Sequence, residues 1–294
     1  MRNEKPRLKF IRPMVPAQIL GPPISDDWLH EIKYDGFRTQ VILDWAGARA
    51  FSRHGHDWSK RYWPTVQAAE MLPAKSFIID GEMTALDADG KPNFHAMHSR
   101  MRWNAELLTF VAFDLLHLDG EDLRYMPLIE RKDRLWDLVK PADGIIQYSV
   151  HVQGNGLAFF NAVEKMGLEG VVSKRSESLY RSGKTEAWVK AKCWEVGEFG
   201  LLGVRRAPGK PTVALVAREG KYAGSAILAA NQSIREPILR SLEASRAKQP
   251  AGVPSAVVDG VQWVKPGFTA RVRHLRGELK LRHATVESIR ADEG

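Results

Sequence analysis

Cysteine is nearly absent from this sequence of 294 residues, in which Cys193 stands alone. A single cysteine excludes an intramolecular disulfide and any zinc site built from several cysteines. Long apolar runs are absent as well, since none approaches the roughly 20 residues that a membrane-spanning helix needs. The basic N-terminus has no apolar segment after it, so no secretory signal is predicted. These absences favour a cytoplasmic protein with no membrane partner.

The charge that the sequence has in excess is positive and lies near the C-terminus. The formal net charge is +8. Residues 196–294 contain 16 Lys and Arg but 9 Asp and Glu, whereas residues 1–195 contain 27 and 26. A basic module joined to a balanced one indicates a polyanionic partner, most simply nucleic acid. General solubility is the alternative explanation of the same charge.

The length predicts about two domains, with a boundary near residues 193–199. The first 25 residues contain five prolines and are expected to form an irregular leader. Strand and helix patterns with short connections then follow up to residue 195, which predicts an α+β domain. One amphipathic helix is predicted at residues 128–139, with the charged residues 130–134 facing water.

The last hundred residues have a different pattern. About five short strand patterns occur in residues 196–294, interrupted by one helical stretch at about residues 234–248. This number of short strands with one helix fits a small β-barrel of the oligonucleotide-binding (OB) type.

One short stretch, residues 31–38, places Lys33 between apolar neighbours and follows it with Asp35, Gly36 and Arg38. A partly buried amine costs free energy unless something compensates it. Burial and nearby cations also make such an amine a usable nucleophile near neutral pH. Gly36 permits a tight backbone, so Asp35 and Arg38 can fold back over the lysine. A strand ending in a turn with scattered surface charges is the alternative interpretation.

Several other candidate site residues follow in the sequence, and each has an ordinary interpretation when it is taken alone. A glutamate beside a glycine can be a solvated residue at a strand edge, an aromatic residue can belong to the core, and alternating lysines can form the wet face of a strand. In chain order these candidates are Arg53 in Ser52-Arg53-His54-Gly55, Glu82 in Asp80-Gly81-Glu82, Phe113, Glu169 in Glu169-Gly170-Val171-Val172-Ser173-Lys174, and Lys190 with Lys192.

In this order the motifs resemble those of the covalent nucleotidyltransferases, which are the ATP-dependent DNA ligases, RNA ligases and mRNA capping enzymes. The resemblance covers essentially the whole chain. Its details look most like the ligase domain of bacterial DNA ligases used in end joining. It implies a nucleotidyltransferase (adenylation) domain at residues 1–195, followed by an OB-fold DNA-binding domain at residues 196–294.

The resemblance implies that Lys33 attacks the α-phosphate of ATP and forms a phosphoramidate. Because the attacking amine must be unprotonated, cations and a metal are expected to surround it. Arg38, Lys190 and Lys192 would hold phosphate oxygens. Arg53 would contact the ribose or, later, the 5′-phosphate of a nick.

The remaining candidates in this part of the chain would bind the metal and the base. Glu82 and Glu169 supply hard oxygen ligands suited to Mg²⁺ or Mn²⁺, or to a ribose hydroxyl. Phe113 would stack on the adenine ring. Glu31 and Ile32, just before the lysine, are also expected to bind the nucleotide.

The C-terminal stretch resembles the last motif of the family, whose basic residues reach the β- and γ-phosphates and orient pyrophosphate for departure. Arg282 and Arg290 are the candidates for this role. The sequence departs from the pattern at Ala284, where proline is common, and at residues 292–293, where Asp-Lys often closes the motif. Since these arginines follow the predicted boundary, the resemblance implies a domain closure about residues 193–199.

The segment Arg181-Ser182-Gly183-Lys184-Thr185 contains the Gly-Lys-Thr ending of a phosphate-binding P-loop. That motif needs a glycine five residues before Gly183, where this sequence has Ser178. No separate ATPase function is therefore predicted for the segment.

The predicted function is that of an ATP-dependent DNA ligase that seals nicks or breaks in DNA repair by end joining. It is expected to be a monomer in the bacterial cytoplasm, associated with the nucleoid, with end-joining or repair proteins as partners. An RNA ligase or capping-type enzyme remains open, because motifs do not reveal the sugar preference. A non-catalytic nucleic-acid-binding protein with the same fold is the third possibility. An NAD-dependent ligase is disfavoured, since the extra N-terminal segment and four-cysteine zinc module of those enzymes are missing.

Overall fold

The computed structural model describes residues 6–142, 144–228, 239, 242, 245–275, 281 and 283–292. The chain divides into two compact units, Met1–Lys192 and Cys193–Gly294. Among the described residues, none of the helices is long and apolar enough to cross a membrane.

The first unit contains a five-stranded sheet. Its strands lie in the order β1 (Met14–Ile19), β11 (Gly183–Lys192), β10 (Gly170–Arg175), β2 (Trp28–Ile32) and β9 (His151–Gln153). Strand β1 runs parallel to β11, and the other neighbours are antiparallel. Strand β10, which follows Glu169, lies beside β2, the strand that precedes Lys33, and β11 with its two lysines lies on the other side of β10.

A second sheet in the same unit is built mostly from antiparallel neighbours in the chain. Its strands lie in the order β4 (Gly47–Ser52), β3 (Phe37–Asp44), β5 (Phe77–Ala85), β6 (Leu108–Leu118) and β7 (Glu121–Asp122), and β8 (Ile146–Tyr148) pairs in parallel with β6. Apolar residues from both sheets form a shared core that includes Leu29, Ile42, Ile78 and Trp188. The two sheets therefore pack face to face.

Among the described residues of this unit, four α-helices accompany the sheets: α1 (Trp63–Glu70), α2 (Phe94–Trp103), α3 (Leu128–Val139) and α4 (Gly156–Lys165). A large core cluster joins buried residues of the second sheet to residues of α1, α2 and α3. Helix α2 was not expected from the sequence. It begins at a side-chain cap, where Asn93 Oδ1 accepts a hydrogen bond of 3.1 Å from the Ala96 N–H, which satisfies one of the free N–H groups of its first turn.

Two expectations about the first unit are wrong. The leader is not irregular throughout, because residues 14–19 form β1 at the edge of the sheet, a position that tolerates Pro16. The charged stretch of α3 is not wholly in water, because Arg131 and Lys132 are fully buried. Buried charges persist where carboxylates pair with them. At the predicted domain boundary, only Cys193 separates β11 from the next strand.

The described residues of the second unit form a closed barrel with one additional strand. Its strands are β12 (Trp194–Arg205), β13 (Val213–Arg218), β14 (Lys221–Leu228), β15 (Val261–Trp263), β16 (Phe268–Leu275) and β17 (Thr285–Ala291). The ring closes in the order β12–β13–β14–β17–β16–β12, with β14 and β17 parallel, and β15 pairs with β12. The predicted α+β fold with a small OB barrel is confirmed. The helix predicted at 234–248 lies largely outside the described residues.

Candidate active site

A pocket of about 490 Å³ opens in the first unit, and residues from both sheets line it. Eight of the predicted site residues are among its lining: Glu31, Ile32, Lys33, Arg38, Arg53, Glu82, Phe113 and Lys190. Six of them lie on β2, β3, β5, β6 and β11, while Lys33 and Arg53 follow the ends of β2 and β4. The fold thus gathers into one cavity residues that are up to about half the chain apart in sequence.

Lys33 follows directly after β2, and its position is fixed by the backbone on both sides. Its N–H donates a hydrogen bond of 2.8 Å to the Gly170 carbonyl. Three residues later, a Cβ at Gly36 would collide with the carbonyl oxygen of Met83. The Asp35 carbonyl in the same turn accepts 3.0 Å from Thr84 Oγ1. The motif therefore needs glycine so that its backbone can approach β5 closely.

The ammonium of Lys33 forms an ion pair with Glu169 Oε2. Lys192 Nζ lies 3.8 Å from the other oxygen of the same carboxylate. Lys192 and Glu169 do not line the pocket, but through this pairing they lie beside its nucleophile. Burial lowers the pKa of Lys190, and the neighbouring charges of Lys33 and Lys192 lower it further. Three lysines are thus concentrated at one end of the pocket, which suits a ligand with several negative charges.

Glu82 lies on β5 opposite Arg38 of β3. Burial raises the pKa of Glu82 to about 8, against the opposing effects of Lys33 and Arg38, while Glu169 and Asp35 raise it further. Among the described residues, no group of three or more His, Cys, Asp or Glu side chains is arranged to hold a metal ion. Two carboxylates remain a suitable donor set, because Mg²⁺ is usually held by one or two carboxylates together with phosphate oxygens and water.

The guanidinium of Arg38 is held by a buried carboxylate. Its Nε and Nη2 donate hydrogen bonds of 3.0 and 2.7 Å to Asp80. The hydroxyl of Tyr180 donates 2.5 Å to the same carboxylate and accepts 3.0 Å from the Met14 N–H. Arg38 also lies over the Phe113 ring, 5.0 Å from its centroid. These contacts hold the guanidinium of Arg38 in place at the pocket wall.

At another part of the pocket wall, Glu31 is buried among donors. Lys132 Nζ donates 2.7 Å to its Oε1, while Lys174 Nζ and the Ser149 hydroxyl donate 2.8 and 2.9 Å to its Oε2. Burial disfavours its ionisation, but the two lysines hold the pKa of Glu31 below its usual value. Glu31 is thus satisfied by donors from the protein itself.

Lys174 lies between the rings of the pocket wall and was not singled out from the sequence. Its ammonium lies 4.4 Å from the Phe113 centroid and 4.5 Å from that of Trp188. Burial lowers the pKa of Lys174 to about 8, although Glu31 opposes the shift. The indole N–H of Trp188 is buried without a hydrogen-bond partner. A flat ring with nitrogen or oxygen acceptors fits this aromatic and cationic wall.

The remaining candidates are three arginines. Arg53 is exposed in the turn after β4 and reaches the pocket lining. Arg290 lies on β17 of the second unit, where its Nη2 donates 2.9 Å to Glu198 and both side chains are exposed. Arg282 lies outside the described residues. The sequence contained a signal for Lys174, the last residue of the Glu-Gly-Val-Val-Ser-Lys motif, but none for Lys132.

The chain is similar in sequence to a known protein family and to several characterised proteins. Residues 16–192 match the family described as ATP dependent DNA ligase domain. Across 99% of its length, the chain is 31% identical to the multifunctional non-homologous end joining protein LigD of Pseudomonas aeruginosa. Across 92% of its length it is 30% identical to the corresponding DNA repair protein LigD of Mycobacterium tuberculosis. The alignments cover 36% and 37% of these relatives, so the chain spans about a third of their length.

Two solved structures match over most of the chain. The ligase domain from M. tuberculosis LigD matches with a TM-score of 0.59 and 27% identity, over 95% of this chain and 94% of that one. Mycobacterial DNA ligase D complexed with ATP and MES matches with a TM-score of 0.59 and 26% identity, over 96% and 95% of the two chains.

Proposed function

Because the chain belongs to the ATP-dependent DNA ligase family, we propose that it seals nicks or breaks in duplex DNA through a lysyl-AMP intermediate on Lys33. The ends joined carry a 5′-phosphate and a 3′-hydroxyl. End joining during DNA repair is the proposed context, which the names of the LigD relatives support. A monomeric state, nucleoid association in the cytoplasm and repair proteins as partners stay predictions.

The observation that carries the proposal is the position of Lys33 at the end of β2, in a pocket that also contains Phe113 and Lys190. Nζ attacks the α-phosphorus of ATP, so that an N–P bond forms and the bond to the bridging oxygen breaks. Pyrophosphate leaves, and the amine gives up its proton. Lys190 and Lys192 stabilise the charge that develops on the phosphate oxygens.

Two further steps restore the free enzyme. An oxygen of the 5′-phosphate at the nick attacks the AMP phosphorus, which breaks the N–P bond and returns the amine of Lys33. The 3′-hydroxyl then attacks the activated 5′-phosphorus, so that a phosphodiester forms, AMP leaves and the hydroxyl proton is released. Arg53, which is exposed at the pocket, is proposed to contact the ribose or the 5′-phosphate.

Glu82 and Glu169 are the residues that would hold a divalent metal ion, Mg²⁺ or Mn²⁺. Such an ion would neutralise charge on the phosphates. Phe113 would stack on the adenine, with Glu31 and Ile32 completing this side of the pocket. Arg38, fixed by Asp80, would hold a phosphate oxygen or the ribose in a preset orientation.

We further propose that the first unit is the adenylation domain and the second the OB-fold DNA-binding domain. The second unit contains most of the surplus of positive charge, which favours a polyanion there. Arg282 and Arg290 are proposed to serve pyrophosphate departure, which requires that the two units close over the nucleotide.

A nick-sealing assay with ATP and Mg²⁺ tests the function, with Lys33→Ala beside the wild-type protein. Incubation with labelled ATP should label the wild-type protein but not the variant, and mass spectrometry should locate AMP on Lys33. Adenylation that survives in the variant would reject the assignment. Sealing of nicked RNA rather than nicked DNA would instead identify an RNA ligase, and nucleic-acid binding without labelling would identify a non-catalytic protein.

A further inference from the structure

Helix α3 presents two adjacent cations to the interior of the first unit. Arg131 is fully buried and makes a two-point contact of 2.8 and 2.9 Å with Asp114 on β6. Lys132 is fully buried and donates 2.7 Å to Glu31 on β2. One helix is therefore tied to both sheets, each time through a residue near the pocket wall.

The two oxygens of Glu31 have different partners. Oε1 accepts from Lys132, whereas Oε2 accepts from Lys174 and Ser149. Lys132 also donates 3.0 Å to the Ser149 carbonyl and lies over the Tyr148 ring, 4.5 Å from its centroid. Lys132 does not line the pocket, but Glu31 and Lys174 do. Any influence of Lys132 on a bound nucleotide therefore acts through Glu31.

We infer that Lys132 is a positioning residue for the nucleotide: it holds one oxygen of Glu31 so that the other oxygen presents Lys174 to the base. This inference rests on the proposed function. Without Lys132, Glu31 Oε1 would be buried without its charged partner, which is costly. The carboxylate would then rotate or recruit Lys174, and the ammonium would leave its place beside Phe113 and Trp188.

Lys132→Met tests this mechanism, with Lys132→Gln as a milder change that keeps a hydrogen-bond donor. In self-adenylation assays we expect KM for ATP to rise about tenfold while kcat changes less than threefold, since a charged hydrogen bond is worth about one factor of ten in affinity. The matched control is Arg134→Ala on the same helix, whose side chain pairs with Glu121 at the surface. It should leave both constants unchanged.

A double-mutant cycle separates positioning from a general loss of structure. If Lys132 acts through Lys174, then Lys132→Met should weaken ATP binding in the wild-type background but have little further effect in Lys174→Met. ATP affinity is measured by calorimetry, and unfolding midpoints are recorded for every variant. Additive effects of the two changes on ATP affinity would overturn the inference. A fall in kcat as large as the rise in KM would overturn it as well.

The Gln variants at both positions provide the same cycle if a Met variant does not fold. Self-adenylation of the wild-type protein tests the proposed function separately from the role of Lys132. Failure of wild-type self-adenylation would reject the ligase assignment, whereas wild-type adenylation with an additive cycle would reject only the role of Lys132.

Discussion

Lys33 and Glu169 form an ion pair at the end of the pocket where the lysines gather. The same carboxylate lies 3.8 Å from Lys192, so it joins the proposed nucleophile to a proposed phosphate-binding cation. Lys33 follows β2 and Glu169 precedes β10; the two strands are neighbours in the sheet, but the two residues are 136 positions apart in the chain. A metal ion held by Glu169 would compete with the ammonium of Lys33 for this carboxylate.

Glu169→Gln tests this relationship because it keeps the size of the side chain but removes its charge. We expect the rate of self-adenylation to fall at least 10²-fold, the typical loss when one contact to developing charge is removed. Sealing of a pre-adenylated nick should also slow, because metal and phosphate positioning persist through the final attack. The control is Glu186→Gln, an exposed residue of β11. A pre-adenylated nick sealed at the wild-type rate would restrict Glu169 to the first step.

The pair of Arg38 and Asp80 supports a second prediction. Asp80 is fully buried and accepts from both Arg38 and Tyr180. Asp80→Asn would leave the guanidinium without its opposite charge, and breaking a buried ion pair costs about 3–5 kcal/mol. In urea unfolding, we expect the free energy of unfolding to fall by about 3 kcal/mol. ATP binding should also weaken, because Arg38 is no longer held by Asp80. Asp89→Asn, at an exposed position, should change neither property.

Glu82 predicts a specific dependence of stability on pH. Burial raises its pKa from an ordinary 4.5 to about 8, so the folded state favours the protonated carboxyl more than the unfolded state does. The contribution of Glu82 to stability therefore falls as pH rises from about 4.5 through 8. Without nucleotide and metal, Glu82→Gln should raise the unfolding temperature by a few degrees at pH 9 and by much less at pH 5. An equal shift at both pH values would contradict the burial of an ionised carboxylate.

Contacts between residues close together in the sequence could be predicted, whereas contacts between residues far apart in the chain could not. Lys33 and Gly36 form a local motif whose spacing already indicates a tight turn, and the structure shows the close backbone approach that requires glycine. Lys132 is different, because its partner lies 101 residues away in the chain. Within its helix it is one of five consecutive charged residues, and only the packing of α3 on the sheets reveals that it is buried.

Secondary structure was also easier to predict where it depends on residues close together in the sequence. Helix α3 was predicted with the observed ends because its apolar residues recur with helical spacing. Strand β1 was missed because its prolines suggested an irregular leader, and its pairing with β11 depends on residues about 170 positions away. Helix α2 was missed because its polar sequence has no clear apolar stripe. The positions of Arg38 and Glu82 could be anticipated as motif members, but Asp80 as the anchor of Arg38 could not.

The last prediction separates the steps of the reaction through Arg290. This arginine lies on β17, is exposed, and pairs with Glu198 at 2.9 Å. Exposed ion pairs contribute little to stability, so Arg290→Ala should fold normally. If Arg290 stabilises the departing pyrophosphate, the variant should self-adenylate about 10²-fold more slowly. A pre-adenylated nick has no pyrophosphate to expel, so the variant should seal it at nearly the wild-type rate.

Arg271→Ala is the matched control for Arg290→Ala, because Arg271 is exposed on the neighbouring strand β16 and pairs with Glu287 at 3.3 Å. Both variants remove one positive charge from the same barrel, so they should weaken DNA binding by similar amounts. Only Arg290→Ala should slow the reaction with ATP. If both variants slow adenylation equally, the effect comes from the net charge of the barrel. If Arg290→Ala is as slow on the pre-adenylated nick as with ATP, the arginine serves DNA binding, and its proposed role in pyrophosphate departure is wrong.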